Sequence, residues 1–253
     1  MSLDLIATAR TALACLDLTS LNDGDTEAST AALCQKAQTP FGPVAAVCVW
    51  PKFVKQARAS LPPEIRVAAV ANFPEGALDE GRALADIEAI AQAGAHEIDV
   101  VLPWRALSIG KVAEVAEFLA EVRHASQPLD LKVILETGEL KTELLVRRAS
   151  QLSLSAGADF IKTSTGKTPV SATLDAAGWM LDEIRSSSLA SAGFKASGGI
   201  RSVLQAAPYI ELTRGLLGED ALRNRLRFGA SGLLDDIVAV LSGAASVTKT
   251  EGY

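Results

Sequence analysis

Histidine is almost missing from this chain: His96 and His124 are the only two in 253 residues. Histidine-rich metal sites and most histidine-based triads have little to build on, and no metal site is expected. Cysteine is scarce as well. Cys15, Cys34 and Cys48 are odd in number and form no CxxC, which gives neither a disulfide framework nor a zinc pattern. Reduced thiols in the cytoplasm are the expectation. No long run of one charge sign occurs and the net charge is -6, which argues against nucleic acid as the main partner but leaves room for a local anion site. No stretch approaches the ~18 uninterrupted apolar residues of a membrane span. The first residues lack the basic-then-apolar order of a secretion signal, so none is expected. No low-complexity linker or composition break divides the chain.

What the chain does have is alternation. Hydrophobic residues make up 49% and charged residues 21%, ordinary values for a protein with a large core. Short runs rich in β-branched residues predict strands over 13–19, 44–49, 66–73, 97–102, 131–136, 160–165, 193–197 and 228–230. Longer patterns rich in Ala, Leu, Glu and Arg predict helices over 79–93, 111–124, 142–156, 172–186 and 233–241. Such alternation means βαβ units and a parallel sheet. Eight strands in about 250 residues fit a closed (β/α)₈ TIM barrel. The rival, a doubly wound open sheet, would put a glycine-rich turn after the first strand, where this chain reads SLNDGDT with no GxGxxG. One barrel domain over 1–253 is expected, with a short tail from about 243.

In a parallel barrel, function gathers where strands end. Strand four carries Asp99 inside an apolar run, strand six carries Lys162, and strand seven carries Lys195 at the matching place. Side chains alternate along a strand, so Lys162 shares a face with Phe160 and Ser164, and Lys195 with Gly193 and Ser197. If both faces point inward, two ammonium groups sit on strands ~4.8 Å apart. Like charge and burial then both favour a neutral amine, which a nucleophile needs. Asp99 can move protons nearby. A single lysine in a strand is more often one that reaches solvent, and Glu97, Lys132 and Glu136 in the same patterns read as satisfied interior pairs. Three rim segments carry anion-binding chemistry: Ser164 to Lys167, Ser197 to Arg201 (with Gly198 and Gly199), and Phe228 to Gly232 (with Gly229 and Ser231). Cys48 lies late in the second predicted strand. It reads either as a small core thiol or as a thiol whose pKa nearby lysines lower, open to attack by aldehydes.

The segments LDLTSLNDGDT, EIDVVLPWRAL, LKVILETGELK, ADFIKTSTGK, GFKASGGIR and RFGASGLL, in this order from about Leu16 to about Leu234, resemble the deoxyribose-phosphate aldolase family. The resemblance implies a barrel with no metal or organic cofactor that cleaves 2-deoxy-D-ribose 5-phosphate reversibly to acetaldehyde and D-glyceraldehyde 3-phosphate. It implies that Lys162 forms the Schiff base, that Lys195 tunes it, and that Asp99 handles protons through water. It places phosphate contacts on Gly166, Lys167, Gly199 and Ser231 with Arg201 close by, and sugar hydroxyl contacts near Asp17 and Thr19, with Thr165 beside them. The chain ends in Tyr253, as members with a functional terminal tyrosine do; a disordered tail is the competing reading. Two departures stand out. Ala196 and Ser197 replace the usual Pro-Ala of the strand-seven motif, and Gly232 replaces a second serine after strand eight. Small phosphorylated sugars and aldehydes are the expected partners, and a homodimer follows by analogy only. A Schiff-base aldolase for another phosphorylated sugar, and a non-catalytic sugar-phosphate-binding barrel, are the alternatives.

Overall fold

The computed structural model describes residues 3–246. Eight parallel strands close into a barrel, each hydrogen-bonded to its neighbours in chain order and the last to the first. They are β1 (Leu16–Thr19), β2 (Ala46–Val49), β3 (Arg66–Ala71), β4 (Glu97–Val101), β5 (Asp130–Ile134), β6 (Phe160–Lys162), β7 (Gly193–Ser197) and β8 (Leu226–Ala230). A two-residue antiparallel pair, Gln38–Thr39 with Gly42–Pro43, lies outside the barrel.

The helices of the outer ring start where their sequences supply a cap. Asp4, Asp79, Thr142, Thr173 and Ser202 each accept a backbone N–H from the first turn that follows. Thr26 and Ser29 cap each other's backbone reciprocally. The apolar core lies between strands and helices, where residues such as Val47, Val67, Ile98, Leu131, Ile161, Phe194 and Phe228 are buried in one continuous cluster. Their neighbours in each strand point the other way, into the barrel.

That inward set is unusual. Barrel interiors are normally filled by layers of branched apolar side chains. Here Asp17, Glu97, Asp99, Lys132, Lys162 and Lys195 are all buried. Space among them is tight. A Cβ on Gly193 would lie 2.3 Å from the Phe160 ring, so β7 approaches β6 only because that position has no side chain. Among the described residues, no helix is long and apolar enough to cross a membrane.

Candidate active site

Register decides which side chains meet. Asp99 stands beside Lys132 on β5, Lys162 beside Lys195 on β7, and Lys195 beside Arg227 on β8. The result is a lattice of shared oxygens. Asp99 Oδ2 accepts from Lys162 Nζ at 2.9 Å and from Lys195 Nζ at 2.8 Å, while Asp99 Oδ1 accepts from Lys132 Nζ at 2.9 Å. Asp17 Oδ2 accepts from Lys195 Nζ at 2.5 Å and Asp17 Oδ1 from Arg227 Nη1 at 2.7 Å. Glu97 lies 2.5 Å from Lys132 Nζ and 3.3 Å from Arg227 Nη2, and also pairs with Arg66 at the lower edge.

Three buried lysines and the half-buried Arg227 therefore face three carboxylates at ion-pair distance, and adding the lower-edge Arg66–Asp130 pair keeps the excess at one. Burial by itself would raise Asp17, Glu97 and Asp99, yet the surrounding amines and guanidinium outweigh it and hold all three below the ordinary carboxylate range. Burial likewise opposes the charge on Lys195, but Asp17 and Asp99 overcome it and hold that amine well above its ordinary value. Asp99 and Glu97 do the same for Lys132. Lys162 has the thinnest company: one carboxylate oxygen, already shared with Lys195. A neutral amine at this position leaves the remaining lattice with balanced charge.

Above the lattice opens a cavity of about 230 Å³. Thr19, Thr165, Gly166, Lys167, Gly198, Gly199, Arg201, Gly229 and Ser231 line it, together with Ser197 and Ile200. Gly166, Gly198 and Gly199 have φ of +79°, +87° and +81°, a left-handed backbone that glycine adopts without strain. Among the described residues, the N–H groups of Gly166, Gly199 and Ser231 donate to no acceptor in the chain. Lys167 Nζ leans over the mouth to within 3.8 Å of Asp23. The other side of the barrel's interior is apolar: Leu21, Cys48, Ala68, Val70, Phe73, Val101 and Ile134 cluster there, with Trp50 and Trp104 packed against them. Strand pairing puts Ile134 beside Lys162 and Val70 beside Asp99.

The structure thus brings Lys162, Lys195 and Asp99 into direct contact and gathers the rim residues around one cavity. Asp17 lies elsewhere than the sequence reading placed it. It is wholly buried beneath the mouth with both oxygens held by Lys195 and Arg227, whereas Thr19 does face the cavity. Glu97 and Lys132 form the interior pair expected of them, but Glu136 does not; it bonds to Thr165 and Thr168 instead. Cys48 lies in the field of Lys195, Lys162 and Lys132, yet burial, helped by Asp99, pushes its thiol up to about 11. Of the two readings, the small core thiol stands and the lowered thiol is corrected, because desolvation outweighs the amines. Arg227 was missed. The eighth strand starts at Leu226, two residues before its predicted start, and the inward position so gained is Arg227. Ser164, on the strand-six motif, is buried with a hydroxyl that has no partner among the described residues. Tyr253 lies outside the described residues.

A buried amine with a shared carboxylate, on the strand that leads to a cavity rimmed by backbone N–H groups unpaired among the described residues, is the equipment of an enzyme that works on a carbonyl compound bearing an anion. The chain belongs to the DeoC/LacD family of aldolases, whose family model matches residues 11–225. It is 49% identical over 245 residues to a deoxyribose-phosphate aldolase of Agrobacterium fabrum, covering 95% of this chain and 94% of that one. Among solved structures, it is similar to the apo-form of a candidate deoxyribose-phosphate aldolase from Toxoplasma gondii, with a TM-score of 0.86, 26% identity, and 96% and 99% of the two chains covered. It is also similar to a structure named QR15, an aldolase, with a TM-score of 0.78, 27% identity, and 92% and 98% coverage. The protein is a carbon–carbon lyase of the aldolase type.

Proposed function

We propose that this aldolase cleaves 2-deoxy-D-ribose 5-phosphate, reversibly, to acetaldehyde and D-glyceraldehyde 3-phosphate through a Schiff base at Lys162. The observation that carries the reading is the position of Lys162, at the mouth end of a lattice with one cation in excess and with the fewest carboxylate contacts of its three lysines. Its neutral amine adds to the substrate carbonyl, and loss of water, with one proton taken up from solvent through Asp99 and water, gives a protonated imine. That cation takes up the electron pair of the breaking C–C bond as the distal hydroxyl loses its proton, and the phosphorylated aldehyde leaves. The enamine that remains gains a proton at carbon, and water releases acetaldehyde.

Lys195 acts in this scheme as a fixed positive charge, gripped by Asp17 and Asp99, that disfavours a proton on Lys162. Asp99 stays ionised, orients both amines and passes protons through water. Asp17 and Arg227 hold Lys195 from below. Gly166, Lys167, Gly199, Arg201 and Ser231 take the phosphate, with Gly198 and Gly229 shaping the turns; Thr19 and Thr165 meet the sugar hydroxyls. The apolar cluster beside Lys162 supports acetaldehyde as the donor product, because a 2-hydroxyl buried against Val70 and Ile134 without a partner would cost roughly 1–3 kcal/mol.

The reading takes residues 1–253 as one barrel domain and the protein as cytoplasmic, acting on small phosphorylated sugars and aldehydes without metal or organic cofactor. A homodimer rests on analogy, and light scattering tests it. The decisive experiment is borohydride reduction in the presence of substrate, followed by peptide mapping. A stable adduct on Lys162 is expected; an adduct on Lys195 would overturn the assignment of roles.

A further inference from the structure

Glu136 is a buried carboxylate of the mouth that the reaction scheme leaves unused. It lies two residues beyond β5 and has φ of +58°, a left-handed conformation uncommon for a residue with a side chain. Among the described residues no cation stands at ion-pair distance from it. Its partners are hydroxyls and a backbone amide instead. Thr165 Oγ1 donates to Oε2 at 2.5 Å, the Thr165 N–H reaches both oxygens at 3.3 and 3.4 Å, and the single hydroxyl hydrogen of Thr168 is shared between Oε1 at 3.2 Å and the Val170 carbonyl at 3.1 Å. All these donors come from one loop, the one that follows β6 and carries Gly166 and Lys167.

The same loop is wedged by backbone on both sides. A Cβ on Gly138 would lie 2.1 Å from the carbonyl oxygen of Val170, and a Cβ on Gly198 would lie 2.4 Å from Ser171 Oγ. The loop fits between two strand-end turns, and Glu136 is its polar anchor. The anchor also fixes a proton. Thr165 has one hydroxyl hydrogen, and it goes to Glu136; one lone pair of the same oxygen accepts the Lys167 N–H at 3.0 Å. What Thr165 can still offer the cavity is an acceptor. It can take a hydrogen bond from a sugar hydroxyl and cannot give one to a phosphate oxygen.

We propose that Glu136 is a positioning residue for the sugar-phosphate site: its carboxylate holds the 165–168 backbone with Gly166 and Lys167 toward the mouth and commits the Thr165 hydroxyl as an acceptor. The inference rests on the phosphorylated-sugar reading of the site, and two measurements separate its fate from that reading. The first is hydrogen exchange. In Glu136→Gln, peptides spanning 163–171 should exchange about tenfold faster or more, with the β5 peptide unchanged, because loss of a charge-assisted anchor frees the loop amides. The second is kinetic. The variant should lose about tenfold more kcat/KM on 2-deoxyribose 5-phosphate than on unphosphorylated 2-deoxyribose, with the loss carried by KM.

Thr168→Val keeps Glu136 and Thr165 and removes the hydroxyl shared between Glu136 and the Val170 carbonyl, so it should show the same pattern at smaller size, also where Glu136→Gln fails to fold. Wild-type exchange rates in the loop of both variants would overturn the proposal. So would equal losses on both substrates carried by kcat, which would place Glu136 at the amine. A wild-type protein that turns over neither substrate would end the deoxyribose-phosphate reading, and the loop's exchange would still decide the anchor.

Discussion

The two walls of the barrel mouth are built from opposite materials. On the side of β1 and β6 to β8 the wall is glycine, serine, threonine and unpaired backbone N–H. On the side of β2 to β5 it is Cys48, Ala68, Val70, Val101 and Ile134, with two tryptophans behind them. Lys162 stands at the seam, on β6 but beside Ile134 of β5. The difference teaches orientation. A substrate with a charged end and an apolar end has one way to lie across this mouth, and that way puts its middle over the amine. Binding energy from the polar wall is thereby used to place the reacting carbon.

The comparison breaks most completely at the seam. Lys162→Met should lower activity by at least about four orders of magnitude and abolish borohydride-trapped adducts, with both walls intact. Retained trapping would move the chemistry to another residue. Next comes the charge beneath the seam. In Lys195→Leu, Asp99 Oδ2 has Lys162 as its only remaining amine, so the Lys162 proton is held more tightly. Activity should fall by about two to three orders near pH 7 and partly recover as pH rises, since the acid limb of the profile moves upward. An unmoved profile would show that Lys195 does not set the charge state of the site.

Smaller effects should separate the two walls. Arg201→Ala or Ser231→Ala should cost about tenfold in kcat/KM on the phosphorylated sugar and less than about twofold on the free one. Equal losses would make them supports of the fold. On the apolar wall, Cys48 sharpens the contrast through pH. With its thiol pushed up to about 11, the thiolate is scarce at pH 7. Inactivation by concentrated acetaldehyde through this thiol should be slow at neutral pH and accelerate as pH rises toward 11. Cys48→Met should remove that accelerating part, and superimposable decay curves for wild type and variant would clear Cys48.

Much of this was legible along the chain, for identifiable reasons. The helices Glu80–Gln92, Glu143–Ser155 and Leu233–Leu241 fall within a residue of their predicted ends, whereas Leu5–Ala14, Glu27–Lys36 and Val203–Leu217 were not predicted although each has a side-chain cap. The Lys162–Lys195 pairing was legible because a period of two on adjacent strands leaves few alternatives. The first strand was drawn too long. Leu13 is apolar because it lies on the buried stripe of the helix Leu5–Ala14, and periodicity alone cannot tell such a run from a strand. Arg227 was lost because the eighth strand was started at its first aromatic residue. Which oxygen serves which amine was never legible. It depends on register across β1 and β4 to β8, and no single segment carries that.

Sharing of oxygens has a consequence for the protein's history. Asp99 serves Lys132, Lys162 and Lys195, while Glu97 serves Lys132, Arg227 and Arg66. Exchange of one member strands a buried charge, at a cost of about 3–5 kcal/mol, whereas loss of an oppositely charged pair together leaves the balance intact. Glu97→Gln and Lys132→Gln should each be more damaging alone than in combination, a departure from additivity that a double-mutant cycle measures. Descendants of this sequence could then cross from one interior to another chiefly by paired steps, and a barrel that changes its helices freely would inherit its floor almost unaltered.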